Sequence, residues 1–228
     1  RGWSAYAQRP RAAGCFFWTG FDYRGEPNPL KYPAVDSQFG ILDYAGFPND
    51  EAWYLKAWWT DETVLHLLPH WNLEGHEGET VSVWAYSNCD EVELKVNGKS
   101  MGRKAMPRYG HIEWDVTYQP GKLIAVGYRN GKKVKTEVVE TTGKATAIAL
   151  SADRDMIKAD NTDVAVVTVA LKDKKGRVVP TACHQLTLHL DGDMRILGVG
   201  NGDPACKDAE RPTDANAKDF TVKAFNGY

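Results

Sequence analysis

The side chains best suited to chemistry lie in one loop near the start of the chain. Trp18 ends an apolar run, Cys15–Trp18, and Asp22, Arg24 and Glu26 follow it among glycines and prolines. A buried strand that ends in an aromatic residue and enters a polar, proline-stiffened loop is typical of the edge where an α/β enzyme presents its site. Carboxylates and a guanidinium in such a loop could serve acid–base chemistry or bind a polar substrate. Periodicity leaves open the alternative that Trp18 is core and the charges are a solvated loop.

Two short helices flank this loop in the predicted arrangement. Trp3–Gln8 carries a helical apolar stripe, and a second helix is expected to begin with Asn49 or Asp50 as its cap. The aromatic face of this second helix, Trp53–Trp59, is interpreted as packing and not as a ligand site. Residues 1–62 therefore read as helix, strand, long loop and helix, which is too little to enclose a core of their own.

From Val64 onward the apolar period changes to two, which indicates strands. The predicted strands are Val64–Trp71, Thr80–Tyr86, Glu91–Val96, His111–Val116, Leu123–Tyr128 and Val134–Val139. Asn97-Gly98 and Asn130-Gly131 are expected to form type I′ hairpin turns. Short strands with tight turns predict an antiparallel β-sandwich over residues 63–142.

A boundary is expected near Thr141–Lys144, because no tryptophan follows Trp114 and the composition changes. Beyond it, strands are predicted at Ala145–Leu150, Val164–Leu171, Gln185–Leu190 and Met194–Val199, with Gly202–Asp219 as a long mobile loop. Residues 143–228 resemble a bacterial immunoglobulin-like module of the invasin type. The expected fold class is mainly β, with two β-sandwich (immunoglobulin-like) domains after a last β/α unit.

The composition argues against nucleic acids and membranes as partners. The net charge of −2 provides no basic field for nucleic acid, and no apolar run is long enough for a membrane segment. The cysteines Cys15, Cys89, Cys183 and Cys206 form no C-x-x-C pair, so free thiols are expected. A bridge between Cys183 and Cys206 is the alternative. A periplasmic or exported bacterial location is favoured, and a homo-oligomer is left open.

Several motifs occur in one order along the first 140 residues. They are Trp18–Pro27, Phe39–Asp43, Gly46–Pro48 with the aromatic segment Trp53–Trp59, His70–Gly75 and Val96–Gly102. In this order they resemble glycoside hydrolase family 2, in its β-galactosidase-like branch. The resemblance implies that residues 1–62 are the end of a truncated (β/α)₈ (TIM) barrel and that the parent protein is a retaining glycosidase.

The resemblance also implies roles for the loop residues. Trp18 would form a floor under the terminal sugar, since an indole face covers the C–H face of a galactosyl ring. Asp22, Arg24 and Glu26 would bond sugar hydroxyls or brace the loop. The two catalytic glutamates would lie upstream of Arg1, so this chain would be inactive, and Asp22 with Glu26 is disfavoured as a replacement pair.

The resemblance leaves the sugar and the cofactors partly open. β-Galactosides are expected, with β-glucuronides and β-mannosides as alternatives. No cofactor and no metal site is expected in this chain, and magnesium or sodium would belong to the longer parent protein.

Two rival functions belong to other classes. A carbohydrate-binding module would use a surface made of Trp71, Trp84, Trp114 and Tyr109. A function as a cell-surface spacer would account for the immunoglobulin-like region. It would not explain the motif Trp18–Pro27.

Overall fold

A computed structural model describes residues 2–228, and the chain divides into two compact units. The first, here the N-terminal unit, runs through Arg24 and resumes over Ser37–Thr141. The second, here the C-terminal unit, comprises Gly25–Asp36 and Thr142–Tyr228. The chain therefore passes from the first unit to the second and back before the sandwich begins.

The expected mainly β class is confirmed. The two helices are α1 (Gly2–Ala7) and α2 (Asp50–Trp59). The strands are β1 (Leu65–Leu68), β2 (Thr80–Ser87), β3 (Glu91–Val96), β4 (Lys99–Ala105), β5 (Ile112–Thr117), β6 (Lys122–Arg129), β7 (Lys132–Glu140), β8 (Ala147–Ala152), β9 (Val167–Lys172), β10 (Gln185–His189) and β11 (Asp219–Lys223). Within residues 2–228, no helix has the length and apolar character needed to cross a bilayer.

Two antiparallel sheets enclose the core of the N-terminal unit. One sheet has the order β1-β2-β5 and the other β4-β3-β6-β7. In β5, the buried Ile112, Trp114 and Val116 alternate with exposed neighbours, so one face points inward. These side chains share one apolar cluster with Leu94 and Leu123 of the other sheet. The predicted sandwich is confirmed by this shared core.

Both predicted Asn-Gly hairpins are confirmed. Asn97 and Gly98 have φ values of 49° and 85°, and Asn130 and Gly131 have values of 51° and 74°. Positive φ at both central residues is the type I′ conformation, whose twist matches that of the paired strands.

Helix α2 packs on the sandwich with its aromatic side chains. Trp53 stacks on His66 of β1, with ring centroids 4.6 Å apart. Tyr54 contacts Tyr86 of β2 and donates a hydrogen bond to the backbone oxygen of Tyr109 at 2.8 Å. The interpretation of this face as packing is therefore confirmed.

The run Cys15–Trp18 is not the buried strand that its pattern predicts. Phe16 is fully exposed and Trp18 is 75% exposed. The backbone pairing starts later, where Thr19–Asp22 runs parallel to Phe39–Leu42 through hydrogen bonds such as Ile41 N to Thr19 O at 3.0 Å. The prediction was wrong because the run has no strand partner among residues 2–228, whereas the next four residues have one.

The C-terminal unit contains two antiparallel pairs, β8-β9 and β10-β11. Strand β11 was not predicted, and the strand expected at Met194–Val199 does not form. Strand β10 pairs with β11 instead, which places Leu186 opposite Val222 and Leu188 opposite Phe220. The apolar pairs stabilise this register.

Candidate functional site

Trp18 presents a largely exposed indole that is held by its edge. Its Nε1–H donates a hydrogen bond to the Tyr23 hydroxyl oxygen at 3.1 Å. The two rings meet at 90° with centroids 6.3 Å apart. With 75% of its surface exposed, Trp18 offers an apolar ring face to a ligand while its polar atom is satisfied.

Tyr23 is held in turn by Ser37. The Tyr23 N–H donates to Ser37 Oγ at 3.1 Å, and the Ser37 N–H donates to the Tyr23 backbone oxygen at 2.8 Å. Ser37 is completely buried. This reciprocal pair links the Trp18 loop to a residue 14 positions further along the chain.

Asp22 braces the loop with both carboxylate oxygens. Oδ1 accepts the Gly40 N–H at 2.7 Å, and Oδ2 accepts a hydrogen bond from Asn49 Nδ2 at 3.2 Å. The same Asn49 nitrogen donates to the Gly40 backbone oxygen at 2.9 Å. Of the two expected caps, Asn49 or Asp50, Asn49 is the N-cap residue of α2, although its side chain makes no capping hydrogen bond.

Gly40 is required by the close approach of the paired segments. A Cβ at this position would lie 2.2 Å from Asp22 N and 2.3 Å from Leu42 O. These are backbone atoms that cannot rotate away, so any side chain would force the segments apart.

Arg24 and Glu26 are both exposed. The Arg24 guanidinium lies over the Tyr44 ring, 4.8 Å from its centroid. Glu26 belongs to the C-terminal unit and has a φ of 48°. The assignment of Trp18, Asp22, Arg24 and Glu26 to substrate stays a prediction.

The Asp43 carboxylate shapes the turn that carries Tyr44. Its Oδ1 accepts the N–H groups of Ala45 at 2.9 Å and Phe47 at 2.8 Å. Burial raises the pKa of Asp43, and these backbone donors partly oppose that shift.

Sequence reasoning missed Tyr23, Ser37 and Asn49, because their contacts join distant positions with no local period. Gly40 did carry a usable signal, since it interrupts the apolar run Phe39–Leu42.

The prediction that four aromatic side chains form the binding surface of a carbohydrate-binding module is wrong. Trp71 is fully buried and donates through Nε1 to the Gln119 backbone oxygen at 3.0 Å. Trp114 is 3% exposed and lies in the sandwich core. Trp84 is stacked on His111 at 4.2 Å, and Tyr109 packs against Trp58 at 5.3 Å. Because two of the four rings are core, the set forms no shared sugar-stacking face.

Across residues 2–228, no three His, Cys, Asp or Glu side chains converge in a way that could hold a metal ion. Cys15, Cys89, Cys183 and Cys206 form no disulfide bond with one another. The alternative of a Cys183–Cys206 bridge is wrong.

Two stretches of the chain match described families. Residues 78–135 match a domain of unknown function, DUF4982. Residues 148–228 match the glycoside hydrolase family 2 C-terminal domain 5. The second match covers most of the C-terminal unit.

Curated relatives match nearly the whole chain. A β-galactosidase of Bacteroides ovatus is 42% identical over 216 residues, which are 93% of this chain and 25% of that protein. A putative β-glucuronidase of Formosa agariphila is 33% identical over 229 residues, which are 98% of this chain and 22% of that protein. The chain thus spans about a quarter of the length of these relatives.

A solved structure has the same fold over most of the chain. It is a β-glycosidase from Bacteroides vulgatus, 35% identical, with a TM-score of 0.81 over 92% of this chain and 26% of that one. The similarity in sequence and in fold therefore extends over the same part of these larger proteins.

Proposed function

The chain belongs to the C-terminal region of glycoside hydrolase family 2, and from that premise we propose that its whole protein hydrolyses terminal non-reducing β-D-galactosyl residues. The proposal is supported by the name of the Bacteroides ovatus relative, which is 42% identical. Trp18 and the residues that hold its loop, Asp22, Tyr23 and Ser37, are the part of the sugar site that this chain contributes.

The exposed indole of Trp18 is the observation that carries the proposal. A galactosyl ring has an apolar C–H face, which an aromatic ring covers while the hydroxyls point elsewhere to polar groups. A platform of this kind must not tilt, and the hydrogen bond from Nε1 to Tyr23 opposes tilting. Trp18 therefore acts as the floor under the terminal sugar.

The bond-breaking groups lie outside this chain in our proposal. A retaining glycosidase needs two carboxyl groups about 5–5.5 Å apart, one as nucleophile and one as acid and base. Asp22 is committed to Gly40 and Asn49, which suits a brace better than a nucleophile. The 228-residue chain by itself is therefore inactive, and its β-domains act as scaffolds.

A β-glucuronide is the second candidate substrate, since the Formosa agariphila relative is named a putative β-glucuronidase. A glucuronide carries a carboxylate that must be paired with a cation. Arg24 is the exposed cation of the Trp18 loop, so it is the residue of this chain that would serve that role.

The substrate test uses the N-terminally extended natural protein with 4-nitrophenyl β-galactoside and 4-nitrophenyl β-glucuronide. We expect kcat/KM to be at least about tenfold higher for the galactoside, a preference of roughly 1.4 kcal/mol. Arg24→Met should leave this preference unchanged. A preference for the glucuronide that is lost in Arg24→Met would replace the galactoside proposal with the second candidate.

A further inference from the structure

The loop formed by residues 25–36, which follows Trp18 and Tyr23 along the chain, belongs to the C-terminal unit. Residues 25–36 close on themselves through the Gly25 N–H, which donates to the Val35 backbone oxygen at 2.8 Å. Ala34 and Asp36 are buried, at 9% and 2% exposure. The loop is therefore an ordered part of this unit.

The end of this loop is hydrogen-bonded to one turn of the C-terminal unit. The Pro204 backbone oxygen accepts the Val35 N–H at 2.8 Å and the Asp36 N–H at 3.2 Å. Beside it, the Lys207 Nζ lies 4.1 Å from the centroid of the Tyr32 ring. Two hydrogen bonds and a cation–π contact thus attach residues 32–36 to residues 204–207.

Asn201 fixes the turn that carries Pro204. It is 6% exposed, and its Nδ2 donates to the Lys223 backbone oxygen in β11 at 2.6 Å. Its Oδ1 accepts the Asp203 N–H at 3.0 Å. The Cys206 N–H donates back to the Asp203 oxygen at 3.0 Å. Residues 201–206, here the Asn201 turn, are therefore held by hydrogen bonds at the start of the stretch Gly202–Asp219, which the sequence predicts to be a long mobile loop.

The Asn201 turn connects to Trp18 through a short sequence of contacts. It holds Val35 and Asp36, and the next residue along the chain is Ser37. Ser37 holds the Tyr23 backbone, and the Tyr23 hydroxyl accepts the hydrogen bond from the Trp18 indole. Every link is a hydrogen bond or the peptide bond between Asp36 and Ser37.

We propose that Asn201 and Lys207 are positioning residues for the Trp18 platform. This inference rests on the proposed function, because Trp18 must contact the substrate. The two residues act through Val35, Asp36, Ser37 and Tyr23 and do not themselves touch the sugar.

The first test needs no activity and uses the 228-residue chain. Amide hydrogen exchange at Val35 and Asp36 is followed by NMR in the natural chain and in Asn201→Ala. Loss of the anchor should raise exchange at both amides roughly tenfold or more. The matched control is Asn216→Ala, an exposed asparagine of the same unit, which should change neither amide. Unchanged exchange in Asn201→Ala overturns the proposal directly.

The second test uses the N-terminally extended protein and the better of the two chromogenic substrates. Lys207→Met should raise KM about two- to fivefold with little change in kcat, since a sugar platform binds ground state and transition state alike. Lys207→Arg keeps the cation over Tyr32 and should restore the natural KM. The exposed Lys174→Met serves as the control.

The outcomes separate the two proposals. If Val35 and Asp36 lose protection in Asn201→Ala while KM stays unchanged in both Asn201→Ala and Lys207→Met, the positioning role is overturned and the proposed function stands. If the natural extended protein cleaves neither substrate, the proposed function is overturned, and the positioning role is overturned with it.

Discussion

The Trp18 indole donates its N–H to the Tyr23 hydroxyl oxygen at 3.1 Å, and the two rings meet edge to face. This arrangement leaves the indole face exposed while its polar edge is satisfied. It explains how an aromatic ring with 75% of its surface exposed can keep a defined orientation for a ligand.

Tyr23→Phe in the N-terminally extended protein tests this arrangement. The substitution keeps the edge-to-face ring contact but removes the hydrogen-bond acceptor, so the platform gains freedom to tilt. We expect KM to rise roughly three- to tenfold, as fits a hydrogen bond worth about 0.5–1.5 kcal/mol. Trp18→Ala should be far more severe, with kcat/KM lowered about 100-fold or more.

The matched control for Tyr23→Phe is Tyr6→Phe, at an exposed position of α1, which should leave KM unchanged. If Tyr23→Phe and Tyr6→Phe gave the same KM, the hydrogen bond to Trp18 would have no part in substrate binding.

Gly40→Ala should disrupt the brace around Asp22. The added Cβ would meet the backbone atoms Asp22 N and Leu42 O well inside contact distance. We expect the free energy of unfolding of the N-terminal unit to fall by about 1–3 kcal/mol, measured by urea titration of the 228-residue chain. The Asp22 amide should also lose protection from hydrogen exchange.

Gly20→Ala is the control for Gly40→Ala, since a Cβ at Gly20 meets nothing within 4 Å. Equal stability of the two alanine variants would mean that the paired segments separate without cost, which contradicts the account of the brace.

Asp173 predicts a pH dependence for the C-terminal unit. Its carboxylate pairs with the Arg177 guanidinium and also accepts the N–H groups of Gly143, Lys175 and Arg177. The hydrogen bond from Arg177, the largest cause, holds the pKa of Asp173 well below its ordinary value of 3.8, and the backbone donors add to the shift. Because the pKa is lower in the folded chain, the stabilisation is complete above 3.8 and is lost as the pH falls below that value toward the folded pKa.

Asp173→Asn should therefore lower the unfolding midpoint of the C-terminal unit at pH 7 and flatten its decline below pH 4. Thermal unfolding between pH 3 and 7 measures both effects, with the exposed Asp208→Asn as the control. A variant whose decline below pH 4 were as steep as in the natural chain would show that another group causes it.

The sandwich was predictable because its physical cause is local. Apolar residues alternate along β3 and β5, and Asn97-Gly98 and Asn130-Gly131 favour the positive φ values that type I′ turns need. Strand β4 escaped prediction because Lys99–Ala105 is mostly exposed and carries no alternation. A sequence pattern reveals a strand through the burial of one of its faces, and β4 buries too little of either face to produce such a pattern.

In the candidate site, the sequence indicates Trp18 but not the residues that support it. Trp18 stands out as an aromatic residue between an apolar run and a polar loop, so its position alone suggests a role. Its support comes from Tyr23, Ser37 and Asn49, whose hydrogen bonds join positions up to 27 residues apart. Contacts at such separations follow from the folded chain and leave no periodic trace in the sequence.

The measurement that tests the central claim most directly is hydrolysis of 4-nitrophenyl β-galactoside by the 228-residue chain beside the N-terminally extended protein. We predict activity in the extended protein, a kcat/KM lower by about 100-fold or more in the extended Trp18→Ala variant, and no activity in the 228-residue chain. Activity in the 228-residue chain that disappeared in Asp22→Asn or Glu26→Gln would contradict the account, because the catalytic carboxylates would then lie in the Trp18 loop itself.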